Sequence, residues 1–217
     1  MPPIYLSESD VGRLVTIKDA MAALEGLFAT WGQPSTTNLP RQRAPLPGGA
    51  FNLMGAAYGA KGVHGLKAYA GVKGAQFHAL LYSSLDGSLK AVIEADLFGQ
   101  MRTGAASGIA TRLLANAHAR TLGVIGTGKQ SRMKVAAVCT VRPIRQVRVF
   151  SRTAEHREAY ARSLQSELGE LVTGKAKGRT SPSELTLFKS LGIALEDVAF
   201  AELVYERALA TGVGRPI

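Results

Sequence analysis

Cysteine is almost absent: the 217-residue chain has one, Cys139, so no internal disulfide can form. Its setting, VAAVCTV, has the pattern of a buried helix face, and the expectation is a small apolar filler. Aromatic residues are only 6% of the chain, too few to build a stacking platform for single-stranded nucleic acid. No apolar run approaches the ~20 residues that cross a bilayer. The opening MPPIYLSESD has neither the basic flank nor the apolar stretch of a secretory leader, so a cytoplasmic chain with no membrane partner is expected. The four histidines, His64, His78, His118 and His156, share no metal-ligand spacing, and no metal is expected. Acidic residues are also scarce, 16 against 26 basic ones, which leaves a net charge of +10. A polyanion partner would need those cations clustered, and they are scattered, so no nucleic-acid partner is expected. A phosphate-bearing cofactor accounts for the charge more simply.

What is present is a core-forming composition, 46% hydrophobic, in an ordered series of patterns. After IYLS, the run TIKDAMAALEGLFATWG repeats apolar residues at helical spacing, with Thr16 as N-cap and Asp19 in the first turn. A polar, proline-containing loop follows, QPSTTNLPRQRAPLPGG. The strand-like runs AFNLMGAA, GVHGLKAYAG and QFHALLYSS come next, and Asp86-Gly87 predicts a hairpin into SLKAVIEA. From Asp96 the chain turns helical, and Gly104, Ala105, Ala106, Ser107, Gly108 and Ala110 predict a helix made for close backbone contact. Downstream, TAEHREAYARSLQSEL is amphipathic. Ser181, Pro182 and Glu184 form a capping signature ahead of LTLFKSLG, a short strand or turn, and ALEDVAFAELVYERALATG is a final helix.

Positions 122–152 read as strand, glycine-rich turn, helix and strand. Gly126 and Gly128 permit the tight turn and let a pyrophosphate approach the backbone, with Thr127 between them. The helix that follows, opening on Lys129 and Gln130, offers unpaired amides and a positive dipole end to phosphates. A GxGxxG pattern is weak alone, and Ser131 stands at its third small position, so a turn with no ligand is the competing reading. A second strand, RQVRVFSR, ends where the fingerprint places its ribose-reading residue, roughly 20 residues on. No acid stands there. Ser151, Arg152 and Thr153 do, and an arginine among hydroxyls suits a 2′-phosphate, so the expected cofactor is NADP, with NAD as the alternative.

Three stretches together carry a family resemblance: GLKAYAG at 65–71, EADLFGQMRTGAASGIATRLLA at 94–115 running into LGVIGTGKQS, and GRTSPSELTLFKSLGIALEDVAFAELVYERA at 178–208. They resemble the ornithine cyclodeaminase/mu-crystallin family over nearly the whole chain. The resemblance implies an α/β protein: a nicotinamide-binding Rossmann domain inserted in an α+β substrate and dimerisation domain, in a homodimer. The boundaries expected here are 1–118 plus 175–217 for the outer domain and 119–174 for the inserted one. It also implies hydride-transfer chemistry on a small amino or imino acid, whether pyrroline-carboxylate or ketimine reduction, alanine dehydrogenation or ornithine cyclodeamination. By motif, Lys67 matches the active-site lysine, Arg102 the arginine that grips the substrate carboxylate and Arg41 a second one, with Arg43 near enough to confuse the register. Thr103 would touch the cofactor phosphates. On residue type alone Lys67 would be a solvated strand lysine and Arg102 a surface helix residue; the resemblance reverses both.

Two departures stand out. Asn52 precedes the methionine of FNLM where cyclodeaminases carry glutamate, which argues against ornithine. The larger departure is a gap. A Rossmann domain takes about six strands at roughly 30 residues per βαβ unit, yet only positions 123–168 are available before the chain rejoins the outer domain. The expected Rossmann unit is therefore truncated and lacks the aspartate that carries a proton in the family. An alternative function follows: a non-catalytic, dimeric ligand-binding homologue disabled by that internal deletion.

Overall fold

The computed structural model describes residues 2–125, 129–150, 181 and 192–217. Two capping boxes start the first two helices. Ser7 accepts from Asp10 N and Asp10 from Ser7 N at the head of α1 (Glu8–Leu14), and Thr16 and Asp19 do the same for α2 (Ile17–Ala29). Each box satisfies amide groups that a helix start leaves without partners. The second follows the expected cap. The first helix has only seven residues, too few for its periodicity to stand out in the sequence.

Among the described residues eight strands form one sheet. They are β1 (Ile4–Leu6), β2 (Thr36–Asn38), β3 (Gln42–Leu46), β4 (Gly49–Tyr58), β5 (Val63–Ala70), β6 (Phe77–Ser83), β7 (Leu89–Glu94) and β10 (Arg215–Pro216). Their order is β10-β1-β7-β6-β5-β4-β2, with β3 also paired to β4, and every pairing is antiparallel except β1 with β7. The three expected strand runs are β4, β5 and β6. The Asp86-Gly87 turn joins β6 to β7, with Gly87 at φ 73° and the Asp86 carboxylate accepting from Ser88 N. The segment expected to be loop contains β2 and β3. Hydrogen bonding to β4 makes strands of a polar stretch that has no apolar alternation of its own.

Registers across the sheet set Leu6, Ile93, Ala79, Lys67 and Met54 side by side in one row. Alternation sends this row and its i±2 neighbours to the face covered by helices. Lys67 therefore enters the core in the middle of an apolar row. On that face lie α2, α3 (Asp96–Leu114) and α5 (Ala194–Thr211), whose Phe98 and Phe200 rings stack at 4.9 Å. The opposite face of β4 and β5 carries an open apolar cleft lined by Leu39, Pro40, Leu53 and Leu66.

Beyond α3, β8 (Thr121–Ile125), α4 (Lys129–Val141) and β9 (Gln146–Phe150) form a βαβ unit, its strands parallel and in a sheet of their own. This is the strand–helix–strand order expected for the inserted domain, within an α/β fold. Gly126, Thr127 and Gly128 at its turn, Ser151, Arg152 and Thr153 after it, the helix expected at 153–168 and the Pro182–Glu184 cap all lie outside the described residues. The small residues of α3 meet α4 as expected: a Cβ on Gly104 would stand 2.5 Å from Met133 O. Cys139 is exposed, a correction to the buried filler expected. Helix α4 buries Ala137 and Val138, and Cys139 stands ~200° around the helix from Ala137, on the uncovered side.

Two outcomes follow. Gly104→Ala should lower stability by about 1 kcal/mol in urea unfolding, because overpacking of ~1–3 kcal/mol exceeds a helix-propensity gain of ~1 kcal/mol. Arg207 donates to both oxygens of Asp19 at 2.9 and 2.6 Å, and that bond above all holds the Asp19 carboxyl at about 2. A depressed carboxylate stabilises the fold above its unfolded value and loses that contribution as pH falls through its folded one. Unfolding from pH 4 down to about 2 should thus show a loss of ~1–2 kcal/mol that Arg207→Met reduces, the Thr16 hydrogen bonds to Asp19 keeping the remainder.

Candidate functional site

The N-terminal turn of α5 brings two adjacent acids, Glu196 and Asp197, against the helix-covered face of the sheet. Arg102, from the second turn of α3, donates through Nε to Asp197 Oδ1 at 2.9 Å and through Nη1 to Glu196 Oε2 at 2.8 Å. Lys67 Nζ donates to the same Asp197 oxygen at 3.3 Å. All four side chains are buried, Lys67 at 4% exposure and Arg102 at 6%. Both cations are thus interior, which corrects the solvated-strand and surface-helix assignments made on residue type alone. Lys67 lies in an apolar sheet row and Arg102 faces α5, where two carboxylates offset the cost of burying it.

Close backbone approach makes the cluster possible. Gly99 of α3 lies against Lys67 Nζ, where any Cβ would collide with the ammonium. Gly192, at φ 71° just before α5, lies against the Arg102 guanidinium in the same way. Only glycine adopts that backbone freely and leaves that space. The Gly192 carbonyl also accepts from Arg41 Nη2 at 3.3 Å, so Arg41 reaches the Arg102 side of the site. Arg43, on the edge strand β3, is exposed, and the two arginines are distinguished by geometry.

Burial sets the electrostatics. Desolvation pushes the Lys67 ammonium below its ordinary pKa, with Asp197 acting in the opposite sense and Arg102 adding to the depression. Burial also penalises the Arg102 guanidinium, but Asp197 and Glu196 together outweigh it and the pKa rises. Glu196 is raised chiefly by burial, against the pull of Arg102. Arg41 brings a third basic side chain to the group. Asp197 Oδ2 is buried and has no hydrogen-bond partner among the described residues. Asn52 points to the same face, two residues along β4 from Met54, and donates to Ala50 O at 3.0 Å.

Of the residues expected to contact a cofactor, Thr103, Lys129 and Gln130 fall among the described residues, near the N-terminal half of α3. Thr103 is buried and its hydroxyl donates to Gly99 O at 2.7 Å. Lys129 pairs with Asp96 at 3.1 Å, and Gln130 lines a cleft of about 280 Å³ with Leu122, Val124, Ser131 and Lys134. No group of three or more metal-ligating side chains occurs among the described residues, nor any helix long and apolar enough to cross a membrane.

The ornithine cyclodeaminase/mu-crystallin family model matches residues 2–167 and 161–212. The chain belongs to that family. Among its relatives is a Delta(1)-pyrroline-2-carboxylate reductase of Bacillus cereus, 24% identical over 225 residues that take in 58% of this chain and 69% of the relative. The fold is shared with the Delta(1)-pyrroline-2-carboxylate reductase of Thermococcus litoralis, solved in complex with NADH and L-proline. The TM-score is 0.86 at 22% identity, over 99% of this chain and 100% of that one. It is shared too with an archaeal alanine dehydrogenase dimer with bound NAD, at a TM-score of 0.89 and 22% identity, over 100% and 99% of the two chains.

Sequence reasoning did not single out Glu196 and Asp197. The signal was there: two adjacent acids in the first turn of a helix whose next residues, Val198 to Ala201, are all apolar. The charge balance gives a test. Arg102→Met should cost about 3–5 kcal/mol at pH 7, because it leaves two buried carboxylates with one lysine between them. The deficit should shrink below pH 5, where protonation relieves the unpaired acid; denaturant unfolding at pH 7 and pH 5 measures both.

Proposed function

We propose that the chain is an NAD(P)-dependent oxidoreductase or deaminating cyclase acting on a small amino or imino acid. The observation that supports it is the convergence of Lys67 and Arg102 on Asp197 Oδ1, with Arg41 reaching the Gly192 carbonyl on the Arg102 side. Arg102 is held by Nε and Nη1, which leaves Nη2 for a ligand, and Arg41 stands on the same side. A guanidinium pair can fix the α-carbon, while Lys67, its proton loosened by burial, exchanges one with the amine or imine nitrogen. Asn52 puts no negative charge beside the end of the substrate side chain, which favours a cyclic imino acid or a neutral amino acid over ornithine.

The unit β8–α4–β9 suits a dinucleotide. Its strands are parallel, and α4 starts at the carboxyl end of β8, where helix amides face a pyrophosphate. Residues 126–130 would hold the phosphates and 151–153 the adenosine ribose, with the arginine favouring NADP. The cofactor supplies or accepts the hydride; orientation and proton exchange fall to the side chains above. The reading also includes a homodimer, in keeping with the dimeric archaeal alanine dehydrogenase.

The second reading, a non-catalytic ligand-binding homologue, is favoured by the small βαβ unit. Ile125 in β8 is 67% exposed, and the two-stranded sheet has no further strand among the described residues. An alignment of 225 residues cannot fit on 58% of a 217-residue chain without a gap on this side, which supports a missing internal stretch.

The reading is tested by fluorescence titration with NADPH and NADH and by turnover of pyrroline-2-carboxylate, ketimines, alanine and ornithine. Binding is expected, with NADPH tighter, and turnover of the imino acid or alanine above that of ornithine. Lys67→Ala should lower kcat by at least ~100-fold and leave nucleotide affinity unchanged. Folded protein that binds ligand but turns over none of these compounds would support the second reading, and one that binds no nucleotide removes the first.

A further inference from the structure

Lys67 and Arg102 come from different elements, a strand and a helix, and both end on one oxygen, Asp197 Oδ1. We propose that Asp197 is a positioning residue that ties the proton-exchanging lysine to the carboxylate-binding arginine through that single oxygen. This rests on the reading of Lys67 and Arg102 as the substrate-binding pair. Glu196 reaches Arg102 only. It turns the guanidinium, while Asp197 both turns it and sets how far Nζ extends from the sheet.

The surroundings leave Lys67 no other anchor of comparable strength among the described residues. Lys67 Nζ lies 5.8 Å from the Phe77 ring centre and 5.9 Å from that of Phe98, distances at which aromatic faces attract a cation only weakly. Gly99 crowds it from α3 and Gly192 crowds the guanidinium from the start of α5. The charged groups acting on Lys67 are Asp197 from α5 and Arg102 and Asp96 from α3; Arg102 disfavours the ammonium and the two carboxylates favour it. Of these, only Asp197 touches Nζ. A carboxylate placed this way does two things. It keeps the lysine from withdrawing into the apolar row between Met54 and Ala79, and it leaves the Nη2 end of Arg102 as the one not taken up by α5. Supporting contacts of this kind fix the geometry of groups that meet a ligand.

The test needs neither cofactor nor turnover. The pH at which Lys67 is half-protonated is read from its side-chain ¹³Cε chemical shift by NMR, assigned with Lys67→Arg, in the wild-type chain and in Asp197→Asn, Asp197→Glu and Glu196→Gln. Losing an opposite charge at this distance should move the Lys67 midpoint down by about 1–3 pH units in Asp197→Asn. Asp197→Glu should recover at least half of that movement, and Glu196→Gln should move it by less than half as much, since Glu196 does not reach Nζ. If Asp197→Asn does not fold, Asp197→Ser carries the same prediction. An unchanged midpoint in the folded variant, or an equal shift in Glu196→Gln, overturns the role of Asp197. Failure of the functional reading would look different: the shift would be present with no binding of nucleotide or substrate.

Discussion

Two carboxylates on one helix turn must be satisfied out of water, and that requirement organises the molecule's centre. Removing Glu196 and Asp197 from solvent is unfavourable unless cations meet them with good geometry. The cations come from distant parts of the chain: Lys67 is 130 positions from Asp197, and Arg102 is 95. The cluster therefore ties strand β5, helix α3 and helix α5 together. It forms only when the sheet is in register, because a one-residue slip in β5 would turn Lys67 to the opposite face.

The same helix that supplies Arg102 also carries the second interface of the fold. Helix α3 has little amphipathic character because it is enclosed on more than one side: by α2 and α5 toward the sheet and by α4 on its outer flank. Its small residues let Met133 and Ala137 of α4 approach its backbone. This packing sets the βαβ unit against the site domain. The start of α4 thus lies near the start of α3, as the Lys129–Asp96 pair records. Small residues, usually unfavourable within a helix, serve here as the spacing device.

Legibility in the sequence followed local physics. The Thr16 cap, the alternation of β4 to β6, the Asp86-Gly87 turn and the close-packed α3 were all readable, because each depends on neighbouring residues. The strands β2 and β3 were not, since polar residues with prolines become strands only when β4 supplies hydrogen-bond partners. Helix α1 escaped because its capping box was the one strong signal in seven residues. Cys139 was misread because a run of small apolar residues does not say which side of its helix is covered. At the candidate site, Lys67, Arg102 and Arg41 were singled out by motif resemblance alone. Charge and spacing alone pointed the first two toward solvent.

By itself the sequence determined the order of elements, the family and the residue types from which an amino-acid site could be built. Periodicity, caps and motif strings are local or linear properties, and they survive without a partner. Tertiary structure decided that Lys67 and Arg102 are interior, that Arg41 rather than Arg43 approaches them, and that Asp197 joins the two cations. Those facts depend on which face of β5 meets α5 and on the absence of side chains at Gly99 and Gly192. Burial of a charge is a relation between distant segments, and its energy exists only once they have come together.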